Sequence, residues 1–386
     1  MKTKYFLILI IFALSCKPEN KELIKFDPTT LTKNEISLTE IADDIKYIPL
    51  DNKYPLGRIS DRIIFINKSI YLTAENLGVL VFNKEGTKLR KIGNIGRGPG
   101  EYLYSSVFTV DEKTETIYIH DRGDIIKVFS HTGGHLRSFS LKEYGHVDAI
   151  ESYNSKLFAF YSNQYENTEY EWIVFDTLGN QIKKKERNMP EFAGNALGIV
   201  GTYKHENVLT YWNNYTDTVF SILPDLNQKP SFIISSGRHR LPKSRITPET
   251  MSDYMWFKYI YETSRYIVIN YFYPLKKYSF VLIDKDNNKS FLIDLKSDNG
   301  GVTLIGGILN DLDGGTSFLP KSYFVENGRE FLIGLIYPYQ IQTHIKSTEF
   351  INSAPKYLEK KKELIKLADS MKETDNPILM IVELKK

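Results

Sequence analysis

Apolar residues along this chain come in short runs, each broken after a few positions by glycine, asparagine or a pair of charges. Stretches such as "SIYL", "VLVFN" and "IIKVF" are rich in β-branched and aromatic residues, which suits strands buried on both faces. The runs also recur. "SIYLTAENLGVLVFNKEGTKLRKIG" (69–93) aligns with "TIYIHDRGDIIKVFSHTGGHLRSFS" (116–140). Each copy reads as a strand, a polar turn, a strand ending in Val-Phe, a turn ending in Gly, and a third strand. Val-Phe pairs begin at Val81, Val128, Val174 and Val219, with spacings of 47, 46 and 45 residues. "VLIDKDNNKSFLIDL", from Val281, is a degenerate copy.

One more apolar run precedes each copy and supplies an innermost strand. These are "RIIFI" (62–66), "SVFTV" (106–110), "VDAIESY" (147–153), "GIVGTY" (198–203) and "YMWFKYIY" (254–261). Four strands in roughly 40–50 residues is the repeat of a β-propeller blade. A sixth unit takes "SYFVEN" (322–327), "EFLIGLIYPY" (330–339) and "NPILMIVELK" (376–385), with "DIKYIPLD" (44–51) as its fourth strand. The expectation is an all-β six-bladed β-propeller of four-stranded antiparallel blades over residues 35–386. Its last blade is closed by strands from both chain ends, which removes exposed sheet edges. Two stretches carry a helical pattern instead. Residues 354–374 form an insertion with Leu358, Ile365, Leu367, Ala368 and Met371 as its apolar stripe, opposite a lysine-rich face. "TPETMSDYM" (247–255) opens a short helix, with Thr247 as N-cap and Pro248 in the first turn.

The N-terminus obeys a different logic. "MKTK" followed by "YFLILIIFALS" is a basic segment and an apolar run too short to span a bilayer, hence a signal peptide over residues 1–15. The chain's single cysteine, Cys16, follows at once and has no partner for a disulfide. "FALSC" resembles a bacterial lipoprotein signal, although Ala13 stands where leucine is usual. The resemblance implies lipidation of Cys16, with residues 16–34 as a polar tether.

"KIGNIGRGPGEY" (91–102) raises the question of a phosphate cradle. A Walker loop needs Gly-Lys-Ser/Thr, and this stretch has Pro99 and Glu101 instead. A dinucleotide fingerprint needs a helix next, and "YLYSSVFTVD" reads as a strand. The segment is therefore a crossing from an outer strand to the next inner one, with glycines supplying positive φ. On these residues, together with "ISLTEIADDIKYIPLD", "IYIHDRGDIIKVF" and "SFLPKSYFVENGREFLIG", the chain resembles the six-bladed β-propeller lipoproteins of Bacteroidetes, whose repeats are similar to NHL and TolB-like ones. The resemblance implies a fold and a cell-envelope location, with the outer membrane as the membrane concerned, but no molecular activity.

Candidate chemistry is sparse. His131 and His135 flank a "TGG" turn rather than a helix face. "DKDNN" (284–288) and "NDLDGG" (310–315) lack the full ligand pattern of calcium loops and read as Asx turns. No metal or cofactor is expected, and no nucleophile motif stands out. A net charge of +3 without a basic block argues against nucleic acid. Residues at the inter-blade crossings, Arg58, Arg97, Glu101, Tyr102, Asp121 and Arg122, with Tyr104 beside them, are the candidate ligand contacts. An inter-blade ion-pair network is the competing role for them. The expected function is a non-enzymatic binding module for an envelope protein or a glycan or peptide ligand, with membrane contact through the N-terminal lipid only. A lyase or hydrolase acting at the channel mouth is the alternative.

Overall fold

The computed structural model describes residues 23–386, apart from 29, 32, 163–168, 188–198, 243, 245, 248, 274–276 and 298–303. The signal segment, Cys16 and Pro248 lie outside the described residues, as does the first part of the tether. Each sequence repeat folds into one antiparallel sheet. Sheet 1 comprises Ile59–Ile66, Ser69–Ala74, Gly78–Asn83 and Lys88–Ile92. Sheet 2 comprises Phe108–Val110, Ile117–Asp121, Ile125–Phe129 and His135–Ser140. Sheet 3 comprises Ala149–Tyr153, Lys156–Phe160, Tyr170–Phe175 and Gln181–Glu186. Sheet 4 comprises Val200–His205, Val208–Asn213, Thr218–Ile222 and Gln228–Ile234. Sheet 5 comprises Trp256–Glu262, Tyr266–Tyr273, Lys277–Asp284 and Ser290–Ser297, with Leu304–Ile305 added at its edge. Sheet 6 takes Ser322–Glu326, Arg329–Ile336 and Ile378–Leu384 from the C-terminal part, and Ala42–Pro49 from the start of the domain.

The two middle strands of a sheet are apolar along their length because both faces are covered. In sheet 1, Tyr71, Leu72, Leu80, Val81 and Phe82 are all fully buried. The buried residues fall into layers between successive sheets. One layer joins sheets 1 and 2, a second joins 2 and 3, and a third joins 3 and 4. A large layer serves sheets 4, 5 and 6, and another packs Phe324, Ile333, Leu379 and Ile381 of sheet 6 against Ile59, Ile70 and Leu80 of sheet 1. Each fully buried Leu, Ile or Phe contributes about 1.5–3 kcal/mol, so stability is spread over the layers rather than held in one core. First strands lie beside first strands, sheet 2 with 3, 3 with 4, 4 with 5, and 6 with 1. The array is propeller-like.

Tight hairpins join first to second strands. Asn67–Lys68, Asn154–Ser155, Glu206–Asn207 and Asn327–Gly328 have positive φ at both positions, which matches the twist of the flanking strands. In the glycine-rich crossing, Asn94–Ile95 pairs in parallel with Glu101–Tyr102, and the chain then enters sheet 2. Of its glycines only Gly93 has positive φ, at 58°. Gly96 is needed for space, because a Cβ there would lie 2.0 Å from Glu101 Oε2. The expectation of positive φ throughout is thereby corrected to one turn and one close approach. His131 sits in the turn leading to the outer strand of sheet 2, and His135 opens that strand. The His131 carbonyl accepts from Arg90 Nε at 2.5 Å, and His135 Nε2 lies 2.9 Å from Ser138 Oγ. Asp284 and Asp313 close local turns through Asp286 N and Gly315 N.

The helical part differs in detail from the expectation. Arg329–Ile336 ends early, and Pro338 starts a helix, Pro338–Ile345, at the position where proline's missing N–H does no harm. A second helix, Thr348–Asn352, leads to the third, Leu358–Ser370. That third helix buries Leu364 and Ala368, whereas Leu358 is 57% exposed and lies off the stripe. Residues 247–255 begin as a turn tied by Thr250 N to Thr247 O, and only Met251–Asp253 is helical, as one 3-10 turn. Among the described residues no helix is long and apolar enough to cross a membrane.

An N-terminal strap was not foreseen. Lys25–Phe26 adds in parallel to the outer strand of sheet 4. Lys33 bridges to Leu292 of sheet 5 and pairs with Asp294, and Ser37 bridges to Leu309. The chain then becomes the outer strand of sheet 6, so one segment pairs with the outer strands of sheets 4 and 5 and itself forms the outer edge of sheet 6.

Candidate functional site

The first strands of all six sheets line one cavity of about 1350 Å³. Its walls are organised by two carboxylates. Glu151, on the first strand of sheet 3, is 3% exposed. It accepts Arg62 Nη2 of sheet 1 at 2.6 Å, Thr109 Oγ1 of sheet 2 at 2.6 Å and Thr202 Oγ1 of sheet 4 at 3.1 Å. Lys204 Nζ stands 3.7 Å from Glu151 and 2.7 Å from Glu112. Asp61 of sheet 1 receives Lys321 on one oxygen and Lys258 on the other, both at 2.7 Å. The two clusters therefore draw charged or hydroxyl groups from every sheet.

Burial alone would push both carboxyl groups up, but the facing cations outweigh it. Arg62 and Lys204 bring Glu151 down to about 2, and Lys321 and Lys258 bring Asp61 to about 2. Neither group holds a proton near neutral pH, so neither is poised as a general acid. Beside them stands an aromatic wall. Tyr261 and Tyr323 stack at 5.5 Å and 8°, and Tyr259 continues the stack at 6.1 Å from Tyr261. Tyr259 OH donates to Pro320 O at 2.8 Å. Burial raises the phenol pKa of all three tyrosines. At the end with the tight hairpins, Glu330 accepts from Ser264 N at 2.8 Å, and His205 Nε2 is 3.8 Å away. Among the described residues no group of three His, Cys, Asp or Glu side chains is arranged to hold a metal.

None of the six residues expected to contact ligand lines this cavity. Tyr102 is fully buried between sheets 1 and 2; its hydroxyl donates to Ile92 O at 2.7 Å and accepts from Val79 N at 3.1 Å. That burial raises its pKa to about 12. Glu101 accepts from Gly98 N, and Asp121 accepts from the backbone N–H groups of Leu103 and Tyr104. These three fasten the crossing. Arg58, Arg97 and Arg122 are exposed, as is Tyr104, and no ion pair joins the arginines to those carboxylates. Tyr102→Phe leaves Val79 N without its acceptor, so a loss of about 1–2 kcal/mol is expected, read as a lower midpoint in chemical denaturation.

Asp61, Glu151, Lys204, Lys258 and Lys321 are not among the residues that the sequence singles out, because glycine and proline mark only the crossings. A signal was present. "SDRIIFI", "AIESY", "VGTYKH" and "FKYIY" each place a charge inside an otherwise strand-like run, and only a polar channel makes that tolerable.

Sequence comparison with curated proteins gives no match. Among solved structures, a presumed exported protein from Bacteroides fragilis NCTC 9343 superposes with a TM-score of 0.67 at 17% identity, over 95% of this chain and 100% of its own. A DUF4221 family member from Bacteroides vulgatus ATCC 8482 gives 0.49 at 11% identity, covering 92% and 99% of the two chains. Virginiamycin B lyase from Staphylococcus aureus gives 0.37 at 10% identity, covering 67% and 75%. The first of these likenesses establishes a shared fold; the other two are too distant to add to it. A family model described as a domain of unknown function matches residues 22–383, from before the first strand into the last, and the chain belongs to that family, DUF4934.

Proposed function

We propose that this chain is a six-bladed β-propeller, closed by its two ends and tethered to the cell envelope through a lipid on Cys16, that binds a glycan or peptide of an extracytoplasmic partner in its central channel. Apolar layers between successive sheets, including one between sheets 6 and 1, support the closed ring. The likeness to an exported Bacteroides protein supports the address. One observation carries the binding role: the cavity's central carboxylates are both ionised and clamped by cations, next to a rigid tyrosine wall. Such a surface offers fixed hydrogen-bonding groups and aromatic faces for recognition, and neither central carboxylate is held protonated for bond cleavage.

The test is an array of glycans and peptides probed with the mature protein, followed by calorimetry on any hit. Tyr323→Ala is expected to weaken binding at least tenfold, by removing an aromatic anchor of about 1.4 kcal/mol or more. Tyr102→Phe should leave it unchanged. Equal affinity in the Tyr323 variant, or conversion of the bound ligand into products, would refute the reading.

A further inference from the structure

Bulges in the outer strands of sheets 4 and 6 have a polar extra residue, Ser231 opposite Val219/Phe220 and Asp43 after Ala42; the outer strands of sheets 1, 2 and 3 share a different version. Each carries a β-bulge directly after the turn that precedes it, between Val81/Phe82, Val128/Phe129 and Val174/Phe175 on the neighbouring strand. The extra residue is apolar every time: Leu89, Leu136 and Ile182, exposed by 49%, 53% and 45%. A bulge re-aims its side chain away from the sheet, so the exposure follows from the repeat. Leu178, in the turn before the third bulge, is 66% exposed. These are also the three sheets with which the strap neither pairs nor shares a strand. The bulged edges are contiguous, since Arg90 reaches the His131 carbonyl of the next turn, Arg137 reaches Thr177 O, and Lys183 reaches Leu226 O.

Charge separates the two halves of the perimeter. The open outer strands carry Lys88, Arg90, Lys91, Arg137, Lys183, Lys184 and Lys185 against the single acid Glu186. The outer strands that the N-terminal segment pairs with or supplies balance Lys46, Lys229 and Lys296 against Asp43, Asp44 and Asp294. Exposed Leu and Ile set among cations suit the interface of an anionic bilayer, where apolar groups enter and lysines meet headgroups. The point of entry of the chain agrees. Ile24 O accepts from Ile233 N on sheet 4, and Lys183 of sheet 3 touches the turn before that same strand. Seven residue steps separate Cys16 from Leu23, roughly 25 Å when fully extended. We infer that the open edge of sheets 2 and 3, at Leu136, Leu178, Ile182 and Lys183–Lys185, rests on an anionic phospholipid surface. This inference builds on the lipid-anchored reading and extends membrane contact beyond the lipid.

Because Cys16 is the only cysteine, Ile182→Cys gives the lipoprotein one free thiol for an environment-sensitive fluorophore. On phosphatidylglycerol vesicles the label should brighten several-fold relative to phosphatidylcholine. It should lose most of that gain when Lys184 and Lys185 are both changed to Gln, or at high salt. A label at Ile351→Cys, another exposed apolar site (63%), should not respond. Equal signals on both lipids, no loss in the double variant, or a larger response at position 351 would overturn the inference. If the wild-type chain itself takes the thiol label, the anchored reading fails. The edge is then judged separately, by adding the same vesicles to the Ile182→Cys chain in a Cys16→Ser background.

Discussion

Glu151→Ala is expected to remove about 3 kcal/mol of folding stability, the low end of the range for breaking a buried ion pair. The substitution takes from Arg62 its counter-ion and from Lys204 one of two, Glu112 remaining, and it strips Thr109 and Thr202 of an acceptor in the cavity wall. Both cations keep some contact with solvent, which is why the low end applies. The pH dependence follows from the same geometry. The carboxyl titrates near 4.5 in the unfolded chain and at about 2 in the folded one, so the unfolded state binds its proton first as the medium is acidified. Its contribution is therefore complete above about pH 4.5 and drains away as the pH falls towards 2. That shift corresponds to about 3 kcal/mol in all. Urea denaturation of the wild type and of Glu151→Gln between pH 7 and pH 3 should show two curves converging in acid. Curves that stay parallel would mean that Glu151 is not the hub of the cavity wall.

The fold was legible because its repeat is written in strand-length apolar runs. Val81, Val128, Val174 and Val219 each sit in the third strand of a sheet, where packing on both sides demands β-branched and aromatic residues. Pairing of Ala42–Pro49 with Ile378–Leu384 was legible for a related reason, since no other apolar run was left to complete the last sheet. The site was not legible. A charge such as Asp61 or Glu151 in one strand gains its meaning from lysines and arginines in other sheets: Lys321 lies 260 residues from Asp61, and Arg62 lies 89 from Glu151. Sequence spacing cannot report such distances. The cationic half of the perimeter escaped for the same reason. Its lysines and arginines are scattered over three repeats, so no basic block appears until the outer strands are set side by side. The crossing residues stand out in the sequence because glycine and proline mark them locally. Tyr102, Glu101 and Asp121 then proved to be bound to backbone, which is what a stiff connection between sheets requires.

Removing residues up to Leu50 is expected to abolish cooperative folding altogether. The deletion takes away the outer strand of sheet 6, whose Ile45 faces Val382 and whose Tyr47 faces Met380. It uncovers the almost wholly buried strand Ile378–Leu384 and gives the sheet a bare apolar edge, open to aggregation. It also removes Phe26, Ile36, Leu38 and Ile41 from the layer serving sheets 4 to 6, each contributing about 1.5–3 kcal/mol. Loss of folding alone would not prove closure by the chain ends, so a permuted chain supplies the contrast. Ala42 lies opposite Leu384, and a short hairpin after Lys386 can therefore lead straight into Ala42–Leu50, with the new start at Asp51. That chain restores the strand in its native register but lacks the strap, so it should unfold cooperatively at a lower midpoint than the wild type. If instead the truncated chain keeps the wild-type transition, sheet 6 does not depend on the N-terminal strand. If the permuted chain fails while a chain with Ala replacing the strap's four apolar residues folds, the strand must be held from its N-terminal side. Closure would then come from the whole segment between Lys25 and Pro49, acting as one clasp over sheets 4 to 6.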